Sequence, residues 1–294
     1  MNDQDLLARR FEDNRAHLRG VAYRMLGSVA EADDAVQEAW IRLSRTDTTD
    51  VDNLRAWLTT VVARVSLNML RSRRTRREAS LETQLPEPML GPKEGMDPEQ
   101  EALLGDSVGL AMLVVLESLT PAERVAFVLH DVFAVPFDEI APIVGKSPAA
   151  ARQLASRARR RVQGAPVPDV DLDGQWAVVD AFLAAAREGD FERLVGVLDP
   201  DVVLRAEGGG ARPNLTQLIH GAREVAGQAM LFRQFTSTAT RVLVNGIPGG
   251  VAWKPDGSPY AVLALTVRGD HIVRIDVLAD PDRLAALDLT PVAG

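Results

Sequence analysis

The chain has 294 residues, 46% of them hydrophobic, a formal net charge of -8 and no cysteine. That length exceeds one typical domain, and the missing thiols exclude disulfides, thiolate zinc sites and cysteine nucleophiles. The start, Met1-Asn-Asp-Gln-Asp5, is acidic where a secretory signal would be basic, and no run of about 18 apolar residues is present to span a bilayer, so a cytoplasmic location is expected.

Against the acidic total stand two arginine blocks. Five arginines fall between Arg71 and Arg77, and five between Arg152 and Arg161. Residues 1–77 carry 14 Lys/Arg against 11 Asp/Glu and residues 107–165 carry 7 against 5, whereas residues 78–106 carry 1 against 8. Positive charge concentrated twice in an acidic chain suits two contacts with a phosphate backbone.

Residues 1–77 read as helical. Leu7, Phe11, Leu18, Val21, Ala22 and Met25 recur at helical spacing before a stop at Gly27. A second helix, Glu31 to Leu43, carries Ala35, Val36, Ala39 and Trp40 on one face and Asp33, Asp34, Gln37 and Glu38 on the other. For those acids alone a solvated face is the simpler reading. After the polar loop 45–53, a third pattern from Leu54 to Leu70 flows into the first arginine block. Arg64, Asn68 and Arg71 extend that block backwards along one helix face at spacings of four and three. Residues 78–106, with Leu85-Pro86-Glu87-Pro88, Gly91-Pro92 and Asp97-Pro98, cannot hold a continuous helix and read as an acidic linker.

In residues 107–165, Thr120-Pro121-Ala122-Glu123 makes a capping box for a helix that buries Val125, Val128, Leu129 and Val132. A short helix, Phe137 to Val144, tolerates Pro142 near its first turn and stops at Gly145. Lys146 and Ser147 lead into a last helix of about 15 residues, roughly 22 Å long, that presents Arg152, Gln153, Ser156, Arg157, Arg159 and Arg160. This order is that of a helix-turn-helix, whose final helix enters the major groove.

On Asp33-Asp34-Ala-Val-Gln-Glu-Ala-Trp40, Asn53-Leu-Arg-Ala-Trp57, Leu119-Thr-Pro-Ala-Glu123 and Ser156-Arg-Ala-Arg-Arg-Arg161, residues 5–163 resemble regions 2 and 4 of extracytoplasmic-function sigma-70 factors. The resemblance implies a non-enzymatic transcription initiation factor, without metal or cofactor, that binds core RNA polymerase (beta-prime clamp and beta flap) and promoter DNA. It places polymerase binding on Asp33, Asp34, Gln37 and Glu38. It places the -10 element on Thr46, Asp50 and Asn53, in a loop, 46–53, that captures a flipped base, and on Arg64, Asn68, Arg71, Arg73 and Arg74 beyond it. The -35 element falls to Lys146, Ser147, Arg152, Gln153, Ser156, Arg157, Arg159 and Arg160.

A second linker, 166–174, precedes residues 175–294. There, helices at 176–186 and 191–198 lead to strands at 202–206, 238–244, 250–254, 260–268 and 271–278, with turns at Asn245-Gly246, Asp256-Gly257 and Gly269-Asp270. The expected whole is multidomain: two all-α domains followed by an α+β cone with a curled antiparallel sheet. This last segment resembles the SnoaL-like, NTF2-like fold, and its attachment resembles the SigJ-like subgroup of these sigma factors. Three motifs carry the narrower likeness: Leu85, Pro86, Glu87 and Pro88 in the linker; Glu207, Gly208, Gly209 and Gly210 in a loop; and Asp280, Pro281, Asp282, Arg283 and Leu284 near the end. The subgroup has Asp and Lys where Glu207 and Ala211 stand here, which puts that loop's charge pairing in question. The likeness implies that the cone contacts the sigma domains within the chain and modulates their activity. The competing reading is a helix-turn-helix regulator with a ligand-sensing or enzymatic cone, built on His220, His271, Asp180, Arg205 or Asp276. Whether the cone takes a small ligand is open at this level.

Overall fold

The structure, a computed structural model, describes residues 3–46, 53–77, 85–93, 95, 110–163, 171–236 and 239–290. The chain divides into two compact units, the first of residues 1–87, 98–105 and 113–165, the second of residues 88–97, 106–112 and 166–294.

In the first unit, α1 (Asp3–Leu26) ends where Gly27 takes a left-handed φ of 69°, a conformation that glycine adopts without a steric penalty. The Ser28 hydroxyl then accepts the Glu31 N–H and starts α2 (Val29–Leu43). Asn53 opens α3 (Leu54–Arg77) by accepting the Ala56 N–H on its side-chain oxygen. The three helices bury Leu18, Val21, Met25, Val36, Leu58 and Val62, each worth about 1.5–3 kcal/mol when removed from water.

The second helical group follows α4 (Leu110–Glu117). At α5 (Pro121–Phe127) the expected capping box is realised in full: Thr120 Oγ1 accepts the Glu123 N–H, and the Thr120 N–H donates to the Glu123 carboxylate. Beyond Phe127 the chain makes a wider π turn, Val128–Val132, instead of continuing as an α-helix. The extra residue in that turn rotates Val132 off the buried face, so it is 38% exposed rather than buried as expected. α6 (Phe137–Val144) holds Pro142 in its interior, beyond the first turn, and stops at Gly145 with φ 69°. α7 (Pro148–Val162) begins on Ser147 and turns Ala151, Ala155, Ala158 and Val162 inward.

The two groups pack directly. Arg124 of α5 donates to the Met25 carbonyl at the end of α1, and the His17 ring of α1 meets Phe133 edge-on at 5.2 Å. Burial, then Arg55 and Arg24, hold the His17 imidazole down at about pKa 4, and Arg55 donates to its Nδ1 at 2.9 Å.

In the second unit, α8 (Leu172–Glu188) and α9 (Phe191–Val197) precede a seven-stranded sheet in the order β1-β4-β5-β6-β7-β2-β3. Its strands are β1 (Leu90–Pro92), β2 (Leu198–Glu207), β3 (Gln217–His220), β4 (Thr240–Val244), β5 (Ile247–Trp253), β6 (Pro259–Arg268) and β7 (His271–Leu278). Helix α10 (Ala222–Leu231) and the short α11 (Arg233–Thr236) lie between β3 and β4, and α12 (Pro281–Ala285) follows β7.

Three departures from the sequence reading stand out. The sheet is mixed, because β2 runs parallel to β7 while the other pairs are antiparallel. A long connection lets β2 enter beside β7 in the parallel sense, which a tight hairpin would forbid. The segment Asp199-Pro-Asp201, expected as a turn, lies within β2 at a register shift between Leu198 and Val203. Finally, linker residues form β1 at the sheet edge, where Pro92 removes no interior ladder bond. Asn245 of the Asn-Gly turn, with φ 50°, secures it: the Met89 N–H donates to Asn245 Oδ1 at 2.6 Å and the Asn245 N–H to the Met89 carbonyl at 2.8 Å.

His17 gives a pH prediction. The unfolded imidazole protonates near 6.5 and the folded one near 4, so the unfolded state binds more protons between these values. Stability falls as pH drops through that window, by about 2 kcal/mol once screening at the half-buried ring is allowed for. Urea titrations across the window are expected to show this loss in the native chain and a flatter profile in His17→Gln.

Candidate polymerase and nucleic-acid interface

Helical periodicity sorts the α2 surface. Ala35, Val36 and Ala39 turn inward, which leaves Asp33, Asp34 and Gln37 exposed and Glu38 half-buried on the opposite face. Asp33 accepts Arg19 Nε at 2.5 Å, and Glu38 accepts Arg42 Nε at 2.9 Å, so two of the four candidates are engaged within the unit. Exposed ion pairs of this kind contribute at most about 1 kcal/mol and exchange readily for another partner.

On α3, Arg64, Asn68 and Arg71 are all exposed, as the stripe requires. Beside it lies a cavity of about 540 Å³ lined by Arg42, Arg45, Thr46, Trp57, Thr60 and Arg64, among others. Cations and an aromatic ring around an open hollow suit a displaced nucleotide, which stacks on one and is neutralised by the other. Thr46 donates to the Arg42 carbonyl at 2.8 Å, and Asn53 is used as a cap. Asp50 and the Arg74 side chain lie outside the described residues. Arg73 departs from the stripe: it is half-buried, donates to the Leu26 carbonyl at 2.8 Å and pairs with Glu31.

The outer face of α7 exposes Arg152, Gln153, Ser156, Arg157 and Arg160, with Lys146 and Ser147 at its start. Ser147 accepts the Ala150 N–H as the helix cap. Arg159, expected among the exposed group, is half-buried and donates to Asp131 at 2.6 Å. Arg161, which the sequence reading left out of the set, pairs with Glu123 at 3.0 Å. Burial works against the Glu123 charge, yet Thr120 and the neighbouring arginines hold its carboxyl below the usual range. Arg152 stacks over the Phe137 ring at 5.3 Å, which fixes the side chain nearest the helix start.

The three short motifs are placed as follows. Leu85, Pro86 and Pro88 are buried, and Glu87 donates its N–H to the Gly27 carbonyl while its own carbonyl accepts the Tyr23 hydroxyl. The other two motifs meet inside the second unit: Glu207 accepts Arg283 Nη1 at 2.8 Å, and Asp280 caps α12 against the Gly209 backbone, whose φ is 64°. Glu207 thus keeps an ion pair despite its departure from the subgroup's Asp. Arg212, one place beyond Ala211, donates to the Tyr260 and Ala279 carbonyls at 3.0 Å. The residues weighed for catalysis are dispersed: Asp180 pairs with Arg241, Asp276 with Arg274, and His220 and His271 are exposed. Among the described residues no cluster is suited to hold a metal ion, and no helix is long and apolar enough to cross a membrane.

Residues 10–76 match the Sigma-70 region 2 family and residues 110–162 the Sigma-70 region 4 family. The chain is 40% identical over 295 residues to the ECF RNA polymerase sigma factor SigJ of Mycobacterium tuberculosis, covering 95% of this chain and 93% of that protein. It is 35% identical to the probable ECF RNA polymerase sigma factor SigI of the same species, covering 98% of each. The crystal structure of M. tuberculosis SigJ superposes with a TM-score of 0.79 at 37% identity, covering 96% of this chain and 99% of that one. The chain therefore belongs to the extracytoplasmic-function sigma factors, in the SigJ-like group that carries an additional C-terminal α+β domain. It is a transcription initiation factor that binds core RNA polymerase and promoter DNA, and not an enzyme.

The exposed arginines of α7 separate by role in their response to salt. Arg157→Ala is expected to weaken binding of the holoenzyme to promoter DNA uniformly across sequences and to lower the salt slope by about 1, as loss of one phosphate contact does. Arg152→Ala is expected to relax base preference at the -35 element instead. Filter-binding titrations over a salt series distinguish the two.

Proposed function

We propose that the exposed polar face of α2, with Asp34 and Gln37 foremost, docks on the beta-prime clamp of polymerase, and that α7 reads the -35 element beside the beta flap. Arg64, Asn68 and Arg71 then track the displaced -10 strand into the hollow at Trp57. Unstacking a base costs a few kcal/mol, and cations beside an aromatic ring return that energy through binding alone. The observation that carries this reading is the hollow itself, because it joins the arginine stripe to an aromatic ring next to the loop after α2.

The second unit acts on this machinery through the linker. Residues Leu85 to Glu87 belong to the first unit, whereas Pro88 to Asp97 belong to the second, where Leu90 to Pro92 pair as β1 on β4. A chain committed to a sheet ladder is shortened and stiffened relative to a free acidic linker. The separation available to regions 2 and 4 thus depends on whether β1 stays bound, and this makes the C-terminal domain a modulator of promoter engagement.

Reconstituted transcription with core polymerase and a promoter selected from a random-sequence library tests both parts. The triple change Asp33→Ala, Asp34→Ala and Glu38→Ala is expected to weaken polymerase binding at least tenfold with folding intact; full retention would contradict the docking face. Asn245→Ala is expected to raise amide exchange at Leu90 and to change transcript yield severalfold. Faster exchange with unchanged yield would contradict the role of the linker strand.

A further inference from the structure

Between α5 and α6 the chain takes two conformations that a plain helical connection does not need. The π turn at Val128–Val132 is followed by Ala134, which adopts a left-handed φ of 53° although it is not glycine. A residue with a Cβ is strained there and stays only where its surroundings hold it. Local hydrogen bonds do so: the Val135 N–H donates to the Leu129 carbonyl at 2.9 Å and the Ala134 N–H to the His130 carbonyl at 3.1 Å. The same loop captures the His130 side chain, whose Nδ1 lies 3.0 Å from the Val135 carbonyl. A carbonyl only accepts, so Nδ1 carries the hydrogen and the direction of the imidazole is fixed.

The fixed imidazole meets a second ring. Its centroid lies 3.9 Å from that of Phe137, with 30° between the planes. Phe137 is the first residue of α6 and only half-buried, whereas Ile140, Ala141, Ile143 and Val144 supply the buried side of that helix. What the Phe137 ring carries instead is Arg152 of α7, whose guanidinium carbon lies 5.3 Å from its centroid. Arg159 and Arg161 of the same helix are paired with carboxylates, but Arg152 is exposed and makes no hydrogen bond or ion pair among the described residues. A ring contact restrains a guanidinium without consuming any of its five N–H donors.

We propose that Phe137, held by His130, is a positioning residue for promoter recognition: it aims the free donor edge of Arg152 at a base in the major groove. The proposal rests on the reading of α7 as the -35 helix. Guanine is the base that fits, because its O6 and N7 accept a bidentate arginine. A long side chain ordered only on contact gives up its rotamer freedom at that moment, and a ring that orders it beforehand removes part of that cost. An exposed cation–π contact favours the aligned rotamer by roughly two- to fivefold. Neither Phe137 nor His130 has to touch DNA, so both act on specificity through Arg152 and leave the phosphate contacts alone.

Binding of the holoenzyme to every single-base-pair variant of a selected -35 element tests this. Arg152→Ala is expected to lose roughly five- to a hundredfold of discrimination at one base pair. Phe137→Leu is expected to lose roughly two- to fivefold at that same base pair, with the salt slope unchanged, and Phe137→Tyr to restore the native preference. Added to Arg152→Ala, Phe137→Leu is expected to change nothing further. A loss spread evenly over all base pairs, or a further loss in the double variant, would show a ring that is merely structural and overturn the proposal. Native discrimination in Phe137→Leu, with Arg152→Ala deficient, would overturn it and leave the -35 reading standing. Native discrimination in Arg152→Ala would overturn both. If Phe137→Leu fails to fold, His130→Leu decides, with the same loss expected at the same base pair.

Discussion

A buried guanidinium joins the regions that match sigma-70 regions 2 and 4. Arg124, 3% exposed, donates Nε to the Leu116 carbonyl at 2.8 Å and Nη1 to the Met25 carbonyl at 2.7 Å, and pairs with the equally enclosed Glu117 at 2.9 Å. The Met25 carbonyl lies in the last turn of α1, whose unpaired carbonyls attract positive charge. Removing one member of such a buried pair costs about 3–5 kcal/mol, because the other charge is left without compensation. Gly27 lets the helices approach: a Cβ there would press on Pro86 at 3.3 Å and on the Glu117 carboxylate at 3.4 Å. The result is one packed body in which the helices of the region 2 match lie against α5 and α6 of the region 4 match. On the proposed function this is a closed resting form, since two separated promoter elements require the regions to part.

Three arginines of the two basic blocks are paired with carboxylates in the free chain. Arg73 is held by Glu31, Arg159 by Asp131 and Arg161 by Glu123. The Arg159–Asp131 pair is half-exposed and individually weak, whereas Glu123 is 5% exposed and Arg73 16%, so parting those pairs leaves a more enclosed charge behind. On the proposed function, an acidic chain thereby carries two arginine blocks that are partly neutralised until polymerase engages α2.

Much of the helical half was legible because its signals are local. The capping box at Thr120, the glycine stops at positions 27 and 145 and the inward alanines of α7 each depend on neighbours within one or two turns. What escaped depends on distant partners. β1 is legible only with Asn245 in view, the Glu207–Arg283 pair spans 76 residues, and the parallel entry of β2 is a property of topology. At the interface, sequence spacing found the exposed stripe on α3 but could not show that Arg73 folds back onto Glu31 or that Val132 is rotated outward by a π turn.

The central claim is that regions 2 and 4 part when the factor engages polymerase and promoter. Because the chain has no cysteine, Asp13→Cys on α1 and Gln163→Cys after α7, both exposed, give two unique sites for spin labels. Pulsed dipolar spectroscopy is predicted to show one narrow distance in the free protein and a markedly longer one in the complex with core polymerase and promoter DNA. An unchanged distance in a complex that initiates transcription would contradict the account.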